Sequence, residues 1–405
     1  MTRFVIVGGG VAGVTAAREL AGQVSDQDEV HILGAEPHLY YPRPHLWRFI
    51  AGAKVQEDLY FQPLSWYQER GIQFHLATEV EAVDREAHRL TLGDGGEMEY
   101  GRLLLATGAR PFVPPVEGAD KQGVFSLRTL EDAREIKSYA ENVSRVVVIG
   151  GGLLGLETAR ALRQAGPSAH VIEVADHLLP RQLDEQGAHI LRGLLEGQGL
   201  EITTGAMVEA VLGGDAVEGV RTKGGDEIEG ELVLFSTGIR CRAKLAEDAG
   251  LEVNRGAVVD EYMRTSGEDV FAAGDVAEFE GEIHGMIPPA MDQARVAAAN
   301  MIELGSERYT GTLPSTTLEV VGARVTSLGE YDPEDEQAYQ VIRRSDLGKG
   351  VYQKFVVENG QVIGAIVLND PQRAALARQL IDRGVNVGND LDRLVRDGFD
   401  LKSLL

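Results

Sequence analysis

Sulfur is nearly missing from this sequence: among 405 residues there is one cysteine, Cys241. A single thiol excludes an internal disulfide, and with it any dithiol relay within the chain. Long apolar runs are missing too, since none approaches the ~20 residues that span a bilayer. Lysine is rare, and positive charge as a whole is short, with 39 Lys and Arg against 63 Asp and Glu and a net charge of -24. A mean field of that sign disfavours nucleic acid and anionic lipid, which would approach against it. No signal-peptide pattern precedes the first apolar stretch, so the cytoplasm is the expected compartment. The length suits two or three domains, each with its own core.

What the chain does have is glycine in a particular place. Residues 4–7, FVIV, read as a buried parallel strand, and Gly8, Gly10 and Gly13 then stand in G-x-G-x-x-G spacing before a helical run. The first glycine permits a tight turn, the second lets a pyrophosphate approach the amides of the helix N-terminus, and the third lets helix and strand pack closely. A second strand, 30–33, leads to Glu36, placed to accept hydrogen bonds from an adenosine ribose. The segment PHLYYPRPHLWRFIAG follows as an ordered loop, in which Arg43 is a fork donor shaped for a diphosphate and Pro44 fixes the path. Residues 58–71 read as a helix. A hairpin then ends in a buried strand, 103–106, and Thr107, Gly108 and Ala109 turn at its C-terminal end, where open α/β sheets bind ligands.

The pattern then repeats. Gly150, Gly152 and Gly155 reproduce the spacing 142 residues on, after the apolar strand 145–149 and before a helix at 156–164. A further strand, 169–172, ends at Glu173, and VLFSTGIR, containing Gly238, echoes LLLATGAR. A duplication of this kind predicts two dinucleotides and not one larger site. Glu173 accepts ribose hydroxyls, and Val174 stands where a 2'-phosphate would want a cation, so NADH is expected in preference to NADPH. Next, the strand 270–272 delivers Gly274 and Asp275 to a strand end, and Asp275 either binds a polyol or caps a turn. Pro288 and Pro289 open a helix near Ala290 whose free amides and positive dipole end suit a developing anion. From about residue 313 the texture changes to strands, including TTLEVVGARVTSLG, and a helix at 371–383. The acidic tail has apolar residues at helix-like spacing, which suits core packing or subunit contact better than a membrane surface.

The expected fold is therefore α/β: two Rossmann-like three-layer dinucleotide-binding domains, one over 1–112 and 241–312 and one over 113–240, with a C-terminal α+β domain over 313–405. Taken together, GGGVAG with Glu36, YYPRPHL, LLLATGARP, SLRTLEDAREIK, GGGLLGLE, STGIR, TSGEDVFAAGD and PAMDQARVAA resemble the two-dinucleotide flavoprotein reductases. Within them the chain resembles the NADH:rubredoxin reductases and the flavoprotein modules of nitrite and ferredoxin reductases. The resemblance implies FAD in the first unit, with Gly8, Gly10 and Gly13 under the pyrophosphate, Glu36 on the ribose, Arg43 and Arg110 near phosphates or flavin, Val80 by the adenine and Asp275 on the ribityl chain. It implies NADH on Gly150, Gly152, Gly155 and Glu173, with Glu157 beside the nicotinamide. Ala12, Pro44, Ala106, Thr107, Gly108, Leu154, Gly238, Gly274 and Ala290 complete the cofactor-binding set; no residue is assigned as catalytic and no metal is expected.

Arg48 stands where related ferredoxin reductases have a lysine. Disulfide reductases of the superfamily need a cysteine pair by the flavin, and the peroxidases and water-forming oxidases need one cysteine near positions 40–50; neither is present, and Cys241 reads as structural. The expected partner is a small electron carrier, rubredoxin or a ferredoxin-like protein, with a homodimer through the C-terminal domain as an option. A quinone reductase, a nitrite-reductase-associated subunit and a flavin-bearing protein whose binding surface is switched by NADH remain open.

Overall fold

Runs of aliphatic, mostly β-branched residues build two five-stranded parallel sheets that share the order of four strands and differ in the outer one, which comes last along the chain in the first sheet and first in the second. In the computed structural model, which describes residues 1–25, 27–320, 323–388, 391–396 and 398–405, the first sheet has Arg3–Val7 at its centre. It is flanked by Glu29–Leu33 and Ile72–His75 on one side and by Arg102–Leu105 and Val270–Ala272 on the other. The second repeats this arrangement around Arg145–Ile149, with Ser168–Ile172 and Leu200–Thr203 on one side and Leu232–Phe235 and Val124–Ser126 on the other. The central strands are buried on both faces, as parallel strands between two covering layers must be.

Each sheet carries a three-stranded antiparallel insertion, 80–84, 89–92 and 97–99 in the first and 208–212, 219–222 and 227–229 in the second. In the second, Val147, Ile149 and Phe235 pack against Val208, Val211 and Val220. The chain divides into two compact units, one of Met1–Phe49, Lys54–Phe112 and Gly238–Thr312, the other of Ile50–Ala53, Val113–Thr237 and Leu313–Leu405.

The second unit also contains an antiparallel five-stranded sheet in the order Ser315–Val320, Ala323–Gly329, Gln361–Leu368, Val351–Glu358 and Gln340–Asp346. Helix Pro371–Asp382 packs on it, and Leu394 and Leu401 of the acidic tail join Phe355 and Leu380 in its core. Val321 and Gly322, inside the strand-rich TTLEVVGARVTSLG, lie outside the described residues, as do residues 389, 390 and 397 of the tail.

One local expectation is corrected. The single helix predicted over 58–71 is a 3-10 turn, Glu57–Leu59, and a short helix, Leu64–Gln68. Pro63 pushes the residue before it out of the α region and serves as the N-cap of the second piece. Among the described residues no helix is long and apolar enough to cross a membrane.

Candidate functional site

The first glycine turn is fixed by steric demand. Gly8 has φ of 122°, and a Cβ there would lie 2.1 Å from the Ala106 carbonyl oxygen. A Cβ on Gly13 would lie 1.9 Å from Gly8 O, so helix Val11–Ala21 sits directly on the turn. Gly10 caps that helix without a side chain, and nothing lies within 4 Å of where its Cβ would be. Helix amides therefore face open space, the arrangement that takes a phosphate.

Elements distant in sequence converge on this turn. A Cβ on Gly274 would lie 3.0 Å from the Ala12 Cβ and 3.6 Å from that of Ala290, so three predicted residues from three elements meet. Gly274, with φ of 82°, donates its amide to Gln293 Oε1 at 2.9 Å, and Asp275 stands half-buried beside it. The helix bearing Ala290 begins at Ile287, with Pro288 and Pro289 in its first turn as expected. Pro288 and Pro289 have no N–H, and the Ala290 amide bonds to Met286 O at 3.3 Å. This corrects the expected row of free amides: the dipole end remains, but most of the donors do not.

Glu36 follows strand Glu29–Leu33, and its two carboxylate oxygens are held separately. Arg43 Nη2 lies 2.5 Å from Oε1, and the Tyr41 hydroxyl donates to Oε2. Ala77 and Thr78 donate backbone amides to Glu36 O and Gly34 O at 3.0 and 2.7 Å, which brings the chain to half-buried Val80 past the same place. Pro44 lies in the 3-10 turn Arg43–His45, and the Arg48 guanidinium lies over the Trp47 ring at 5.2 Å.

At the end of strand Arg102–Leu105, the Thr107 hydroxyl donates to Arg242 O at 2.8 Å and Arg242 N to Gly108 O at 2.9 Å. The two echoing segments then pair: Ala109–Pro111 runs antiparallel to Ile239–Cys241, with Arg110 opposite Arg240. Gly238 accepts the Phe112 amide at 2.9 Å. Cys241 is half-buried, and burial, reinforced by the Asp275 charge, pushes its thiol up, away from the reactive thiolate.

The second turn copies the first. Gly150 has φ of 116°, with its Cβ position 2.3 Å from Ser236 O, and the Cβ position of Gly155 is 2.1 Å from Gly150 O. Gly152 caps helix Leu153–Ala165 facing open space. Glu173, 7% exposed, accepts the Gly151 amide at 2.6 Å on one oxygen and the Ala175 amide at 2.8 Å on the other. Each oxygen keeps a second lone pair for a ribose hydroxyl. Val174 next to it is 58% exposed. Leu154 and Glu157 lie half-buried on the helix, and behind Glu157 is Arg160, 4% exposed. Burial pushes the Arg160 pKa down while the Glu157 charge opposes the shift.

Tyr41, Gln293 and Arg160 are the polar residues around these turns that the sequence reading passed over. Tyr41 and Gln293 stand inside segments quoted for other reasons, and no spacing singles out Arg160.

Comparison with known proteins matches both glycine turns to one family and the C-terminal module to another. The family described as pyridine nucleotide-disulphide oxidoreductase matches residues 2–300, and the rubredoxin NAD+ reductase C-terminal domain matches residues 314–385. A nitrite reductase [NAD(P)H] of Bacillus subtilis is 35% identical over 95% of this chain and 48% of its own length. An NADH-rubredoxin oxidoreductase of Clostridium acetobutylicum is 29% identical over 96% of each chain. Among solved structures, the ferredoxin reductase for the CYP199A2 system of Rhodopseudomonas palustris superposes with a TM-score of 0.89 at 28% identity, covering 100% of this chain and 99% of its own. The chain spans about half the length of the curated nitrite reductases it matches.

Proposed function

Since the chain belongs to the pyridine nucleotide-disulphide oxidoreductase family, whose cofactors are FAD and NAD(H), we propose that it is a cytoplasmic NADH-dependent flavoprotein reductase delivering electrons to a small iron–sulfur carrier protein. Rubredoxin is the first candidate and a ferredoxin-like protein the second. The observation that carries the reading is a doubled glycine cradle in a chain whose lone cysteine has no partner. Electrons leave without a sulfur relay.

The first turn fits FAD: an open helix N-terminus for the pyrophosphate, Glu36 for the adenosine ribose, and Asp275 at the meeting point of Ala12, Gly274 and Ala290 for the ribityl chain. The second turn fits NADH, with Glu173 on the ribose and Glu157 toward the nicotinamide. Bound FAD supplies the redox chemistry, taking hydride from NADH and releasing electrons to the acceptor. What the chain contributes is alignment and charge complementarity, without an acid, base or nucleophile.

Anaerobic reduction with NADH and NADPH in parallel, followed by rapid mixing with oxidised rubredoxin and ferredoxin, tests this. NADH should bleach the flavin faster than NADPH, and rubredoxin should be reduced within seconds. Rubredoxin left oxidised by fully reduced enzyme removes that partner; a colourless protein that cannot be reconstituted with FAD removes the whole reading.

A second reading is favoured by the length relation to the nitrite reductases, about half of which this chain spans. Here the chain is the flavin half of a two-part enzyme. Co-purification from the native source of a second polypeptide that restores NADH-dependent nitrite reduction would establish it.

A further inference from the structure

Lys354 has no exposed side-chain surface, and its ammonium is surrounded by carboxylates: Asp332 at 2.7 Å, Glu336 at 2.9 Å and Asp184 at 3.2 Å. Asp332 and Glu336 belong to the same C-terminal module as Lys354. Asp184 does not, because it caps helix Glu185–Glu196 beside the second parallel sheet. Tyr352, on the same face of strand Val351–Glu358 as Lys354 and fully buried, donates its hydroxyl to the same Asp184 oxygen at 2.5 Å. The other oxygen of Asp184 accepts the Gly187 amide at 2.9 Å, and a Cβ on Gly187 would lie 3.1 Å from the Tyr352 ring. One carboxylate is thus satisfied from two sides, by its own helix and by a strand 168 residues on.

Asp184 is also the far end of the loop that begins at Glu173. Leu178 and Leu179 in that loop are 1% and 0% exposed. The Leu179 amide donates to Gly151 O at 3.1 Å, and a Cβ on Gly151 would lie 2.7 Å from a Leu178 methyl. Gln182 and Leu183 donate back to Leu179 O at 2.8 and 2.9 Å. Leu179 itself has φ of 51°, a conformation that leucine adopts only where its surroundings impose it. The loop therefore rests on the second glycine turn at one end and is pegged by Asp184 at the other. An apolar contact would hold two modules together in several registers, whereas a buried ammonium with three acceptors at fixed distances accepts one.

We infer that Tyr352 and Lys354 are positioning residues for NADH, acting through Asp184 on residues 174–184 and so on the glycine turn beneath them. The inference rests on the reading of the second cradle as the NADH site. It gives the C-terminal module a part in nucleotide binding that is separate from any contact with an electron acceptor.

The test uses the FAD-loaded full chain and two variants. Tyr352→Phe removes one hydroxyl and keeps the ring; Lys354→Met removes the ammonium at similar length. Flavin reduction is followed by anaerobic stopped flow over a range of NADH concentrations, with ADP-ribose, which lacks the nicotinamide, as competitor. In Tyr352→Phe the apparent dissociation constant for NADH should rise five- to twentyfold, with the limiting rate of flavin reduction within twofold of wild type. The inhibition constant of ADP-ribose should rise by the same factor, and FAD content should be unchanged. Lys354→Met should shift further in the same direction. A lower melting temperature with unchanged NADH and ADP-ribose constants would make the cluster structural only and overturn the inference. A wild-type protein that NADH does not reduce would instead overturn the reading of the second cradle, and the inference with it.

Discussion

Arg43 holds Glu36 by an ion pair, Nη2 to Oε1 at 2.5 Å, although the sequence reading sent the two residues to different parts of one cofactor. The pairing fixes the carboxylate before any ribose arrives, because the Tyr41 hydroxyl takes the other oxygen. A side chain held in this way has little rotamer freedom left to lose on binding.

Replacing Arg43 by alanine should therefore weaken FAD binding about tenfold, roughly 1.4 kcal/mol. The effect stays modest because the two side chains are 31% and 27% exposed and water screens the pair. Release of fluorescent flavin on dilution measures it; an unchanged dissociation constant would show that Glu36 needs no such support.

The two glycine turns should fail independently. In Gly13→Ala a methyl group would meet Gly8 O at 1.9 Å, and the purified protein should be largely colourless. In Gly155→Ala the clash is with Gly150 O at 2.1 Å, and the protein should be yellow but reduced by NADH at least a hundredfold more slowly at low nucleotide. Visible absorption and stopped-flow reduction separate the two outcomes.

Coenzyme choice should shift at one exposed position. Val174 is 58% exposed next to Glu173, so Val174→Arg offers a cation without disturbing the core. A hydrogen bond to a charged group contributes about 1.5 kcal/mol, so the ratio of kcat/KM for NADPH over NADH should rise about tenfold. Steady-state kinetics with both nucleotides checks this, and an unchanged ratio would place the 2'-position elsewhere.

His31 and His75 predict an acid-sensitive first sheet. Their rings stack, with Nδ1 of His31 3.0 Å from Nε2 of His75, a bond that needs one ring to donate and the other to accept. Burial lowers both pKa values from 6.5; Glu29 partly opposes this at His31, and the His75 and Arg3 charges add to it. The folded state therefore binds fewer protons than the unfolded chain, and stability rises with pH. This contribution is complete above about pH 6.5 and is lost as pH falls below it. The melting temperature should fall by about 2–4 °C for each kcal/mol lost on acidification. In His75→Gln the slope should flatten; a slope equal to that of wild type would assign the acid sensitivity to other groups.

Most of the architecture could be read from the chain because it rests on short-range patterns. Aliphatic strands leading into G-x-G-x-x-G and then an acid repeat in order, and each step is local. Pro63 was equally local, yet the helical composition of its neighbours hid the break it makes. The residues that stayed hidden act over distance. Asp184 reads as an ordinary helix cap until Tyr352 and Lys354 reach it, and Gln293 reads as one more position on an alanine-rich helix until Gly274 needs an acceptor. Arg160 lies under no pattern, since what distinguishes it is burial, which sequence order does not encode. Glu173 was recognised, but its double grip on Gly151 and Ala175 was not, because backbone donors have no signature in the sequence.

The first parallel sheet takes its outer strand, Val270–Ala272, from beyond the second, which is assembled wholly from residues 124–235. On the ribosome, then, the order of completion reverses the order of emergence. The edge of Arg102–Leu105 stays unpaired while the whole second sheet is made and can close, and only then does its partner leave the exit tunnel. A nascent polypeptide truncated before Val270 would carry a finished nucleotide sheet behind an unfinished one.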